Sequence, residues 1–145
     1  MGATRHDLPK HECIDLLESE SVGRLCIIDH GYPLAFPVNY RLVPDKAGHR
    51  VVFRTSPDTS LARYEGLSSL EVDEISADRH RAWSVIVHGH LRRAHGEADL
   101  PDPHPLLSDG RHQWLVLDVS SITGRRFRAE PADDRFSVDW QSINA

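Results

Sequence analysis

The sequence predicts a mainly β protein, a mostly antiparallel barrel with short flanking helices, and three observations carry that prediction. Six apolar runs of strand length recur along the chain, at 22–28, 34–43, 51–55, 67–75, 83–93 and 113–119. Their connections are short and rich in Gly, Pro, Ser and Asp, as hairpins require. Helical periodicity is confined to one stretch near the front and one in the middle, too little to cover both faces of a doubly wound parallel sheet.

The first helix is predicted over Pro9–Leu17. Ile14 and Leu17 fall on one face while Glu12, Asp15 and Glu18 fall on others, and Pro9 suits the first turn. Val22–Ile28 reads as a buried strand, and His30-Gly31-Tyr32-Pro33 is turn material leading to its hairpin partner, Leu34–Val43. In that partner Leu34, Phe36, Val38, Tyr40 and Leu42 share one face. Pro37 interrupts it, and proline cannot donate to a ladder. Two readings stay open: Pro37 guards a sheet edge, or it marks a bulge that frees the backbone of Val38 and Asn39 for a flat heterocycle.

Pro44–His49 is a polar turn into Val51-Val52-Phe53, a β-branched and aromatic strand that ends at Arg54 and Thr55. Ser56, Pro57, Asp58 and Thr59 carry helix-starting chemistry, and Ser60–Tyr64 is predicted as a short helix closed by Gly66. Leu67–Ile75 alternates Leu70 and Val72 with Glu71 and Asp73, the mark of a strand with one wet face. After a charged connection comes the longest strand, Trp83–Arg93. Pro101–Pro105 stiffens a loop, Leu106-Leu107 begins a helical turn, and Gln113–Val119 is the last strand. Ser121–Phe127 reads as a turn with a short extended piece. Beyond it the chain is polar to Ala145 apart from Phe136, Val138 and Trp140, so this extension is expected to pack on a partner surface.

The totals exclude several classes of function. At 145 residues the chain is sized for one domain, 1–145, able to bury a core without disulfides or metal. A net charge of −5, with Lys and Arg scattered among Asp and Glu, lacks the footprint of a nucleic-acid binder. Cys13 and Cys26 form no framework and read as reduced thiols. The sequence contains no signal-peptide core, no apolar run long enough for a membrane helix and no myristoylation motif, so a cytoplasmic location is expected.

One corner stands out chemically. A strand ending in Arg54-Thr55 and feeding a helix start brings a guanidinium, hydroxyls from Ser56, Thr59 and Ser60, and free N–H groups into one volume, which outlines a phosphate site. The alternative reading is that Ser56, Asp58 and Thr59 only cap the helix while Arg54 faces water. His88 and His90, two apart on one strand face, could share a metal, but no third ligand lies near in sequence and none is assigned.

Taken in order, GRLCI from Gly23, PVNY from Pro37, VVFRT from Val51, EVDEI from Glu71, WSVIVHGH from Trp83 and ITGRRF from Ile122 resemble the pyridoxamine 5′-phosphate oxidase-like, FMN-binding split-barrel family. The resemblance runs from about Val22 to Arg128 and leaves 129–145 as an extension. It implies a homodimer of six-stranded antiparallel split barrels with one FMN in each of two clefts between subunits. It places the phosphate on Arg54 and Thr55 with the corner through Ser60, Ser56 and Thr59 included, and counts Arg63 among the cofactor-binding residues. Pro37, Val38, Asn39 and Tyr40 would line the ring, with Trp83 and Ser84 contributing from the long strand.

Many relatives carry Gly-Thr-Lys where this chain has Asp58-Thr59-Ser60, so a cationic phosphate contact is missing. The activity expected is flavin-dependent oxidation or reduction of a small molecule, with no nucleophile or base dyad needed because the flavin carries the hydride chemistry. Two alternatives stand beside it. One is an 8-hydroxy-5-deazaflavin coenzyme whose acidic tail is met by Arg63, Arg125 or Arg126. The other is a binding protein that retains the barrel without turnover. The homodimer is also expected from Trp83, Trp114 and Trp140, more aromatic surface than one small core readily hides.

Overall fold

Alternation of buried and exposed side chains organises most of the strands. In the computed structural model, which describes residues 4–96, 100–103 and 113–128, β1 (Thr4–Asp7) precedes α1 (Lys10–Ser19). Then come β2 (Val22–Asp29), β3 (Tyr32–Asn39), β4 (Arg41–Asp45), β5 (Gly48–Thr55) and the single turn α2 (Ser60–Arg63). The long strands β6 (Gly66–Ser76), β7 (Arg81–Arg93) and β8 (Gln113–Arg128) follow.

All pairings are antiparallel, in the order β3-β2-β6-β7-β8-β5-β4, with β1 added to β8. The two ends of this path, β3 and β4, are consecutive in the chain and meet at Tyr40. The sheet is therefore an antiparallel split barrel, open where β3 and β4 part.

The inward row of each strand fills the core: Leu25 and Ile27 from β2, Val51 and Phe53 from β5, Leu70 and Val72 from β6, Val85, Val87 and Leu91 from β7, and Leu115 and Leu117 from β8. Fully burying such side chains contributes about 1.5–3 kcal/mol each. Helix α1 covers one end. Cys13 and Leu17 are buried on its inner face, and its first turn starts at Pro9, as the sequence predicts. Gly124 accommodates this helix, since a Cβ there would come within 2.7 Å of Cys13 Sγ.

Eight strands stand where six were expected, because one predicted strand divides and one unpredicted strand forms, and the last strand is also longer than expected. The predicted strand 34–43 is divided at Tyr40, whose backbone N–H turns to Ser21 O (3.0 Å) and whose hydroxyl donates to Leu17 O (2.6 Å). The predicted turn over Ser121–Phe127 is instead part of β8, because β7 is long enough to pair with it throughout. A bulge absorbs the irregularity: His88 faces Ser121 and Gly89 faces Val119, so Ser120 is passed over. β1, which has no apolar alternation, forms because β8 offers it a free edge. The His30-Gly31 turn has φ of 50° and 81°, the doubly positive geometry of a tight hairpin. The polar turn predicted over Pro44–His49 shrinks to Lys46-Ala47, with β4 reaching Asp45. The predicted helical turn at Leu106-Leu107 and the extension 129–145 lie outside the described residues.

Candidate functional site

Arg54 is the penultimate residue of β5 and is held from two sides. Its guanidinium lies 5.5 Å from the centroid of the Trp114 ring, contributed by the paired position on β8. Its Nη1 donates to both carboxylate oxygens of Asp102 at 2.9 Å. The side chain is 15% exposed, so Arg54 does not simply face water at a strand end. A mostly buried guanidinium already binding an oxyanion is suited to a phosphate or carboxylate.

The loop beside it is locked by its own hydroxyls. Thr55 is buried and its Oγ1 lies 2.9 Å from Thr59 Oγ1. Thr59 caps α2, donating to Ser56 O (2.9 Å) and accepting from the Ala62 N–H (3.2 Å). Arg63 reaches back to Asp58 O at 3.2 Å, and Arg93 Nε donates to Ala62 O at 2.9 Å, tying the end of α2 to β7. The expected corner of Arg54, Thr55, Ser56, Thr59, Ser60 and Arg63 is thus one continuous piece of structure. Gly66, with φ of 149°, opens β6 after Tyr64 has capped the helix.

Pro37, Val38 and Asn39 lie at the end of β3, an edge of the sheet path, and pair in unbroken register with Arg24, Gly23 and Val22. Pro37 therefore guards an edge. The alternative bulge, with the Val38 and Asn39 backbones freed, is not what the chain forms. Val38 packs on the core, and Asn39 Nδ2 donates to Ser21 O at 3.4 Å. Tyr40 is 1% exposed and its hydroxyl is engaged by Leu17, so its ring is core and not an accessible wall.

Trp83 and Ser84 stand apart from this corner. Trp83 pairs with Arg126, Ser84 with Arg125, and Arg54 with Trp114, so the two groups sit at opposite ends of β8. Being consecutive on a strand, they also face opposite sides. Trp83 turns inward with the core cluster, while Ser84 lies on the outer face near Glu71, whose Oε1 accepts from Ser84 Oγ at 3.4 Å.

That outer face carries an ionic cluster the sequence did not reveal. Arg24 Nη1 lies 3.0 Å from Glu71 Oε2 and 3.1 Å from Asp73 Oδ2. Burial, with Asp73 adding to it, pushes the Glu71 carboxyl up to about 7, and Arg24 offsets only part of the rise. Val22, Ile28, Leu67 and Ile75 are exposed apolar side chains on the same two strands. His88, bonded to Ser69 Oγ through Nδ1 at 2.6 Å, and His90 point outward too. Among the described residues no three His, Cys, Asp or Glu side chains converge as a metal site.

Trp114, Asp102 and Arg93 are the residues that sequence reading missed around Arg54. The signal for Trp114 and Arg93 is a pairing register between distant strands, and that for Asp102 is a loop distant in sequence, neither of which a local pattern encodes.

No helix among the described residues is long and apolar enough to cross a membrane. Residues 9–126 match the family model described as pyridoxamine 5′-phosphate oxidase. No curated protein matches the chain. Among solved structures, the FAD binding protein from Mycobacterium smegmatis is 30% identical, with a TM-score of 0.68 over 86% of this chain and 100% of that one. A conserved protein of unknown function from Corynebacterium diphtheriae is 28% identical, with a TM-score of 0.72 over 85% and 98%. An FAD-binding protein from Mesorhizobium loti, 22% identical with a TM-score of 0.64 over 87% and 98%, shares the fold. With four-fifths of its length inside that family model and a split barrel to match, the chain belongs to the pyridoxamine 5′-phosphate oxidase-like family.

Proposed function

We propose that this protein binds a flavin, FMN in the first instance, and uses it as an oxidoreductase acting on a small molecule. The observation that carries the reading is Arg54: a cation mostly removed from water, stacked on Trp114, and already engaging a carboxylate in the place an anionic ligand would take. The donor set fits a phosphate. Arg54 would hold it by charge-assisted hydrogen bonds, with Ser56 and Ser60 beside it and the Thr55–Thr59 pair keeping the loop in shape. Solved relatives described as FAD-binding support the flavin class.

When bound, the flavin supplies the hydride chemistry. The chain's own part is to fix the phosphate end and to give the ring a wall. Pro37, Val38 and Asn39, on the edge strand at the split, are the residues assigned to that wall. Ser84 lies too far from Arg54 along β8 to serve the same ligand in one chain, which supports a site completed by a second copy. The exposed apolar side chains around the Arg24 cluster supply a face for that copy.

Titration of the purified chain with FMN, FAD and riboflavin, followed by flavin fluorescence and absorbance, tests the reading. Saturable FMN binding that exceeds riboflavin binding is expected. Absence of saturable binding by any flavin would overturn the proposal, and binding without turnover of any acceptor would restrict it to a carrier role.

A further inference from the structure

The outer face of β2 and β6 sets an ionic cluster inside an apolar surround. Side chains alternate along a strand, so Val22, Arg24 and Ile28 share one side of β2, and Leu67, Glu71, Asp73 and Ile75 share one side of β6. The register puts Arg24 directly opposite Glu71, with Pro37 beyond it on β3 and Ile86 beyond Glu71 on β7. The four apolar side chains that flank this row, Val22, Ile28, Leu67 and Ile75, are all exposed.

The cluster is unbalanced. One guanidinium meets two carboxylates, 3.0 Å from Glu71 and 3.1 Å from Asp73, so one negative charge is in excess when both are ionised. In the single chain water still reaches it, since the Arg24 side chain is 57% exposed. A second copy seated on the surrounding apolar residues removes that water, and an uncompensated charge taken out of water is costly. Discharging one carboxylate on each copy removes the excess. Glu71 is the group placed to take the proton, because burial, and then Asp73, already push its carboxyl up to about 7. The groups facing it are Ser69 and Asp73 on its own strand, Arg24 and Cys26 on β2, and Ser84 and His88 on β7. The Cys26 thiol is pushed up, by burial first and then by Glu71, so it stays neutral.

We propose that the cluster of Arg24, Glu71 and Asp73 is a pH-sensitive latch on the second copy: assembly takes up a proton at each Glu71, so the two chains part as the solution becomes alkaline. The inference rests on the second copy proposed above and regulates the site that copy completes, whichever flavin the site takes. Its sign follows from linkage. Where the dimer holds more protons than the separate chains, its dissociation constant rises with pH, by up to about tenfold per pH unit for each proton taken up.

Sedimentation velocity of the full chain over a concentration series, at pH 6.0 and pH 8.5 and one ionic strength, tests the latch. The dimer dissociation constant is expected to rise about tenfold or more between the two. Glu71→Gln, neutral at both, should hold it constant to within about twofold. His88→Gln, which removes a second titratable group from this face, should keep the wild-type rise. A constant that does not rise with pH, a rise that survives Glu71→Gln, or a rise abolished by His88→Gln would each overturn the latch while leaving the dimer in place. A chain monomeric at both pH values would overturn the second copy and the latch with it. No flavin is added, so a failure to bind flavin bears on the cofactor alone. Should Glu71→Gln melt early, Asp73→Asn takes its place. It removes the excess charge from the other side and should strengthen the dimer at pH 8.5, and an unchanged dimer there overturns the latch.

Discussion

Asp102 holds Arg54 by both of its carboxylate oxygens, each 2.9 Å from Nη1. A ligand phosphate at Arg54 must therefore compete with a carboxylate the chain itself supplies. Asp102→Ala removes that competitor, and FMN should bind about tenfold more tightly, on the order of 1.4 kcal/mol, with riboflavin little affected. Fluorescence titration of both ligands checks this, and an unchanged FMN affinity would count against a phosphate at Arg54.

Arg54→Ala is expected to act in the other direction. Losing a charge-assisted contact worth about 1.5–3 kcal/mol lowers FMN affinity roughly tenfold to a hundredfold. Riboflavin, which has no phosphate, should weaken far less. Equal weakening of the two ligands would indicate a collapsed cleft. Arg54→Lys should recover part of the loss, since it keeps the charge without the planar fork.

Tyr40 separates core from ligand wall. Tyr40→Phe strands the Leu17 carbonyl without its 2.6 Å donor and should cost about 1–2 kcal/mol in urea unfolding. Flavin affinity should not change, because the ring is buried. A selective loss of flavin binding at unaltered stability would restore Tyr40 to the site.

The Glu71 carboxyl, raised from its ordinary value of 4.5 to about 7, makes stability depend on pH. Between these values the folded chain holds more protons than the unfolded chain, so stability falls as pH rises through the window, by up to about 1.4 kcal/mol per pH unit. Burial sets this first, Asp73 on β6 adds to the rise, and Arg24 on β2 opposes it. Glu71→Gln should flatten the profile between pH 5 and 7 in denaturant melts, and a slope that survives the substitution would assign the effect elsewhere.

A second copy on the outer face should be detectable by light scattering. The chain, 16.4 kDa as a monomer, is expected to run as a dimer, and Ile28→Lys with Leu67→Lys should shift it to monomer without lowering its secondary-structure content. Both residues are exposed, so each charge costs little in the isolated barrel. A wild-type monomer at micromolar concentration would sink the shared-site reading.

The sequence and the structure agree where a pattern is local. The alternation in Val22–Ile28, Leu67–Ile75 and Trp83–Arg93 reports strands because one side of each is buried, and Thr59 announces a helix cap by its own chemistry. What stayed hidden is set by partners distant in sequence. Ser121, Thr123 and Gly124 look like turn residues but are drawn into β8 by the length of β7. Tyr40 looks like one more strand residue until Leu17 and Ser21 capture it. The Arg54 corner was legible from its composition, whereas Trp114 and Asp102 beside it depend on register and on a loop.

Strand β8 pairs with β1, β5 and β7, all of which precede it in the chain. During synthesis the hairpin of β6 and β7 can form as it emerges, but β5 and β1 must wait with open edges until β8 arrives. Such a topology has a high contact order, because loop closure precedes the contacts that reward it, and so it folds slowly. The nascent chain therefore carries unpaired edges through most of its emergence, and this interval, more than the finished barrel, is where a chaperone would be needed.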